Sequence, residues 1–171
     1  MPEIRSGRWT ARYDAPFIVF LIGMRFNKLW KVHKWAPVVM AMPRMLAELQ
    51  RQPELGLLGV DTWFGRTLLV VQYWRSFERL EAYAKARDHA HLPAWRAFNR
   101  AIGGNGDVGI FHETFEVAPG GHENVYVNMP ALLFGKVGTL VEAKGGFEGA
   151  RSRLAANSSA EAAALPKSAD L

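Results

Sequence analysis

Residues 16–26, PFIVFLIGMRF, are apolar apart from Arg25, and no other stretch limits the fold so strongly. The run is rich in β-branched and aromatic side chains and has no helical period, so it reads as a strand buried on both faces. Gly23 inside it marks a bulge or a close backbone approach. From Phe17 to Met24 the run is far too short for the ~20 residues that cross a bilayer. Glu3 and Asp14 ahead of it do not suit the basic start of a signal peptide. The expectation is a cytoplasmic protein without a membrane partner.

A doubly buried strand needs a layer on each side, and the next segment supplies one. From Asn27 apolar residues fall at Leu29, Trp30, Val32, Trp35, Val38, Val39, Met42, Met45, Leu46 and Leu49, an amphipathic helical spacing that runs to about Arg51. Pro37 and Pro43 interrupt it, which predicts a short helix, a kink and a longer helix beginning near Pro43. Residues 55–63 and 67–74 predict a hairpin through Phe64, Gly65 and Arg66, with Gly65 in the positive-φ position. Ser76 is a natural N-cap, and Phe77, Leu80, Tyr83 and Ala84 give the following helix its buried stripe. Pro93 suits the first position of a further helix running to Ile102. The cluster Gly103, Gly104, Asn105, Gly106 ends that helix and leads into a strand at 108–117; residues 123–129 form another strand or an extended arm.

The element order is strand, helix, strand, strand, helix, strand. It predicts an α+β fold, a ferredoxin-like split βαβ unit with an antiparallel sheet and helices on one face. The other face needs cover, and a second copy would give it, so the expectation is a homodimer, a dimeric α/β barrel, with a pocket between sheet and helices or inside the barrel. Residues 1–14 read as an N-terminal arm, 15–130 as the barrel domain and 131–171 as a C-terminal extension. The end of that extension, rich in Gly, Ala and Ser, is expected to be disordered unless its alanines form a partial helix.

One core is enough for 171 residues. The net charge of +5 is spread among apolar residues rather than gathered into a stripe, which argues against a nucleic-acid partner. The chain has no cysteine, so disulfides, thiolate-held metals and cysteine nucleophiles are excluded. Six tryptophans and an aromatic share of 12% suit either a well-filled core or a pocket for a flat apolar small molecule.

Two histidines stand out. On the strand 108–117, Val108, Ile110, His112 and Thr114 alternate with Gly109, Phe111, Glu113, Phe115 and Val117. Both sets are largely apolar, so both faces should be covered and His112 should be a buried imidazole that needs a partner, as a satisfied core residue or a functional one. If helical geometry extends one turn back from Pro93, His91 shares a face with Trp95, Phe98 and Ile102; otherwise it lies at a surface corner, where His89 is placed. Gly104, Gly106 and Gly109 spell GxGxxG but lead from helix to strand, the reverse of the dinucleotide-binding context. A zinc site from His89, His91, His112 and Glu113 is weakened because Glu113 and His112 alternate across the strand. The run LWKVHKW at 29–35 reads as a helix start with snorkelling lysines, or as a contact for a nucleotide or a haem propionate.

The segments FLIGMRFNKLWKVHKWAPV, VVQYWRSFERLEAYA, HLPAWRAFNR, GDVGIFHETFEV and ENVYVNMP together resemble a family of bacterial and fungal monooxygenase-like proteins that includes one of the fumagillin pathway. The resemblance covers about residues 8–140 and implies the dimeric α/β barrel. A more distant similarity is to haem-containing aldoxime dehydratases. It implies that His91 is the proximal haem ligand, that His112 with Glu113 forms the distal pair, and that Val125, Tyr126, Val127 and Asn128 are the following strand. Those dehydratases fuse two ferredoxin-like halves where this chain has one, and their distal serine has no match here.

The resulting expectation is an enzyme that uses haem b on a small organic substrate by oxygen or peroxide activation. His91 is its metal ligand, Trp95, Phe98 and Ile110 are walls for the cofactor, and His112 and Glu113 are catalytic. Without cysteine, neutral imidazole is the ordinary axial ligand, and a second imidazole can move protons near neutral pH. The alternatives are an aldoxime dehydratase-like C–N lyase, a cofactor-independent monooxygenase in which His112 and Trp95 position or deprotonate the substrate, and a non-enzymatic haem- or ligand-binding protein.

Overall fold

The computed structural model describes residues 2–86, 104 and 106–164. Its contacts fall into two compact units, Ile18–Phe115 and Met1–Phe17 with Glu116–Leu171. Ten regular elements are described: β1 Arg5–Arg12, β2 Phe17–Phe26, α1 Val32–Arg51, β3 Leu57–Trp63, β4 Thr67–Trp74, α2 Phe77–Lys85, β5 Val108–Val117, β6 Tyr126–Met129, β7 Thr139–Glu142 and α3 Ala150–Ala164. No described helix is long and apolar enough to cross a membrane.

The unit 18–115 is the expected split βαβ arrangement. Its sheet has the order β3-β4-β2-β5, and β4 pairs antiparallel with both β2 and β3. Across the β2–β4 pair, Ile18, Phe20, Ile22 and Met24 stand opposite Trp74, Gln72, Val70 and Leu68, and period-two alternation sends all eight to the face that the helices cover. Val38 and Val39 of α1 pack on Met24, Phe26, Leu68 and Val108. Leu49 of α1 joins Leu80 and Tyr83 of α2 over Ile18 and Trp74. Each large side chain fully buried in this way contributes roughly 1.5–3 kcal/mol.

Four local expectations in this unit change. Helix α1 is continuous through Pro37 and Pro43 rather than broken before Pro43. Gly65 does not adopt positive φ, which occurs instead at Gly56, with φ 97° at the end of the turn Pro53–Leu55. Phe77 is 41% exposed, although Leu80 and Tyr83 form the buried stripe as expected. On β5 the residues from Phe111 to Glu116 are exposed, so His112 is not the doubly covered core residue that its apolar neighbours suggest. Apolar alternation fixes the phase of a strand, whereas cover depends on which layer reaches it.

Other features hold. The Ser76 Oγ accepts from the Arg79 backbone N–H at 3.4 Å and caps α2. Gly23 is a close approach, since a Cβ there would overlap the Phe111 ring. Lys28 and Lys31, just before α1, close on Asp107, just before β5, at 2.8 and 2.7 Å. Asp107 is nearly inaccessible, so Lys28 and Lys31 tie two segments of the fold together; neither a nucleotide nor a propionate is needed to explain them.

In the other unit the expected N-terminal arm is a strand: β1 lies between β6 and β7 in an antiparallel sheet. Asn124 extends this sheet by its side chain, accepting from the Ala11 N–H at 2.6 Å and donating to the Ala11 carbonyl at 3.0 Å. That side-chain pairing replaces the backbone ladder before Tyr126, within the stretch from residue 123 expected as a strand or an extended arm. The sheet therefore draws on residues from both sides of the boundaries expected at 14/15 and 130/131. The alanine-rich stretch forms α3, within which Arg153 is buried, donating to Glu123 Oε1 at 2.6 Å and to the carbonyls of Phe147 and Glu148.

Candidate functional site

A cavity of about 110 Å3 lies between the helix-facing side of the four-stranded sheet and helices α1 and α2. Its floor is built by the inward residues of β2 and β4, with Ile110 from β5, and its roof by apolar side chains of α1 such as Met42 and Met45. The alternation of β2 puts Phe20, Ile22 and Met24 there by the same period that gives the strand its apolar run. The walls are apolar, as needed to desolvate an organic ligand.

Three polar groups interrupt these walls. Gln72 and Trp74 are buried on β4, and the Trp74 Nε1–H donates to Gln72 Oε1 at 2.8 Å. The Tyr83 hydroxyl donates to Glu48 Oε2 at 3.1 Å. Burial, and then the charge of Glu48 and the hydrogen bond to it, push the Tyr83 phenol well above its ordinary value. Tyr83 therefore stays protonated, with its donor used by the carboxylate, and cannot serve as a base near neutral pH.

Ile110 lines this cavity, and His112 follows it on the same face of β5. The His112 ring lies 5.8 Å from the Phe20 ring, centroid to centroid, and Phe20 is itself a cavity wall. Phe20 thus stands between Gln72 on β4 and His112 on β5. His112 is exposed. Glu113 is also exposed, and the strand alternation turns it to the opposite face, so the two are adjacent in sequence without sharing a face. His91, Trp95 and Phe98 lie outside the described residues, as do His89 and the helix expected from Pro93 to Ile102.

Among the described residues no cluster of three His, Asp or Glu side chains is suited to a metal ion; a haem iron requires only one axial side chain. The described walls suit haem in their apolar chemistry. The volume between these walls, about 110 Å3, is below the ~300–1,000 Å3 of ordinary small-molecule pockets, and the other expected haem contacts, His91, Trp95 and Phe98, lie outside the described residues.

The residues missed by sequence reasoning are Gln72 and the Glu48–Tyr83 pair. Gln72 had a signal: it is the one strongly polar residue on the inward phase Leu68, Val70, Gln72, Trp74, the same criterion that picked out His112. Glu48 had none, because a carboxylate on an amphipathic helix ordinarily faces solvent.

A family model described as monooxygenase af470-like matches residues 17–134. Monooxygenase af470 of Aspergillus fumigatus is 32% identical over 159 residues, which cover 80% of this chain and 56% of that protein. The chain thus spans little more than half the length of that relative. Among solved structures, an aldoxime dehydratase in complex with butyraldoxime superposes with a TM-score of 0.55 at 15% identity, over 65% of this chain and 34% of that one; the likeness is one of fold. SnoaB, a cofactor-independent oxygenase from Streptomyces nogalater, gives a TM-score of 0.43 at 15% identity, over 59% of this chain and 92% of that one.

Proposed function

The chain belongs to the monooxygenase af470-like family, and from that premise we propose that it oxygenates a small, mostly apolar organic molecule held between the four-stranded sheet and helices α1 and α2. The observation that carries this reading is the apolar cavity itself, with His112 one strand step beyond its wall at Ile110. The walls would strip water from the substrate, which strengthens every polar contact made inside. His112 would take or return the proton that the reaction moves, re-equilibrating with solvent at its exposed edge.

For haem b, His91 would hold the group, with Trp95, Phe98 and Ile110 as apolar walls and His112 as the acid–base residue, whereas Glu113 is turned to the other face of β5. Haem would supply activation of dioxygen or peroxide. The support for this is the resemblance of the His91-to-Asn128 segment to haem-containing dehydratases. The small volume of the cavity favours a second reading, in which no cofactor is bound and the substrate, deprotonated by His112, reacts with dioxygen directly. The proposal also includes a second copy of the chain, because Phe111, Phe115 and Trp63 are 39%, 49% and 38% exposed on the sheet face away from the helices.

A visible spectrum of protein expressed with added haem decides between the two. Haem binding by His91 predicts a Soret band that His91→Ala removes, while His112→Ala keeps the band and loses turnover. Absence of the band withdraws the haem reading, and turnover without it selects the cofactor-free one. A band with aldoxime dehydration and no oxygenation would instead assign a C–N lyase. A band with rapid haem exchange and no turnover would assign a carrier.

A further inference from the structure

We propose that the cavity selects neutral apolar molecules that carry a hydrogen-bond acceptor, and that the side-chain NH2 of Gln72 is the group that selects them. The inference rests on the reading of the cavity as the substrate site and adds the chemical class of the substrate. Gln72 is 6% exposed and lies on the cavity wall. The orientation of its amide follows from chemistry: an indole N–H can only donate, so the atom 2.8 Å from Trp74 Nε1 must be the Gln72 oxygen. The nitrogen, with two N–H donors, is then turned away from Trp74. Among the described residues nothing accepts from it.

Its surroundings explain why this matters. Phe20 stands directly across the strand pair, with Val70 preceding Gln72 on the same face and Ile22 paired with it. The Tyr83 hydroxyl, also on the wall, is already committed to Glu48. Gln72 therefore presents an unused but accessible donor to an otherwise apolar space, where a ligand acceptor can take the place of water on it. A single neutral amide is poor compensation for a buried carboxylate, so free acids are rejected. The cavity, at about 110 Å3, is smaller than the ~150 Å3 space that holds benzene in an engineered protein. The ligand portion enclosed there is accordingly a few carbons with a carbonyl, oxime or similar acceptor directed at Gln72.

Cyclopentanone and methylenecyclopentane have nearly the same shape, and only the ketone has a strong acceptor. Both can be titrated against the whole chain while the methyl resonances of Met42 and Met45, which line the cavity, are followed by NMR. Gln72→Met should weaken the ketone by about 10-fold and leave the alkene within about twofold. In the unchanged protein, which needs no variant to fold, the Gln72 side-chain NH2 signals should move downfield with the ketone and not with the alkene. The proposal is overturned if neither molecule shifts the methionine signals, if Gln72→Met changes both affinities alike, or if the NH2 signals ignore the ketone. No turnover or chromophore enters the measurement, so this assignment and the oxygenase reading can fail separately.

Discussion

Asp107 shows how one residue that does not line the cavity can anchor the strand that carries His112. Its carboxylate receives hydrogen bonds from the ammonium groups of Lys28 and Lys31, which with their charges outweigh desolvation and hold its pKa down to about 2, against an ordinary 3.8. A carboxyl depressed in the folded state stabilises fully above its unfolded value and loses that contribution as pH falls through the folded one. Urea midpoints of the wild type should therefore fall between about pH 4 and pH 2, and Asp107→Asn should flatten that part of the profile. His122 acts with the same sign at higher pH. Burial favours its neutral imidazole over the opposing pull of the Ala11 carbonyl and Asp14, so its contribution is complete above the ordinary value of 6.5 and declines as pH drops below it. His122→Phe should flatten this upper window and leave the lower one unchanged. The sequence singled out His112, which is exposed, and passed over His122, which packs edge-on against Phe17 and Phe134. Strand alternation had drawn attention to the first, while the second lies in a loop whose cover comes from distant residues.

Among the elements, α1 departs furthest from its sequence signals. An interior proline removes a helical hydrogen bond and crowds the preceding turn, at a cost of about 3 kcal/mol. Yet α1 carries two, leaving the carbonyls of His33 and Val39 without their usual donors. Met45 and Leu49 are buried, and Val38, Val39 and Met42 partly so, and their packing on the sheet outweighs a rule that is purely local. Pro37 and Pro43 are both exposed, so either can be tested without opening the core, and Pro43 serves here. Pro43→Ala restores the bond to Val39 but gives back about 0.4–1 kcal/mol of chain entropy to the unfolded state. The net expectation is a gain of about 2 kcal/mol, read as a higher denaturation midpoint with an unchanged urea slope. Strand β5 was legible to its ends because alternation runs from Val108 to Val117. Strand β1 was not, since RSGRWTAR is polar on much of both faces and reveals itself only when β6 and β7 pair with it.

At the scale of the whole molecule, the split βαβ order was legible because it depends on the succession of elements and not on their exact limits. The two-unit division was not, since no composition shift marks Phe17 or Glu116. Among the described residues α1 and α2 pack on one face of this sheet, and on the other the proposed second copy can be tested. A specific interface removes about 800 Å2 from each partner, and Phe115 and Trp63 are apolar anchors of the kind that dominate such contacts. Phe111 is a poor choice for mutation because its ring fills the space over Gly23, so its loss would disturb the sheet itself. Phe115→Glu and Trp63→Glu instead place a charge on exposed positions and leave the cavity face untouched. Light scattering at micromolar concentration should give twice the mass of one chain for the wild type and a single mass for the double variant, with the same circular dichroism. A wild type that scatters as one chain would remove the second copy from the proposal, and a double variant that stays paired would move the contact elsewhere on the surface.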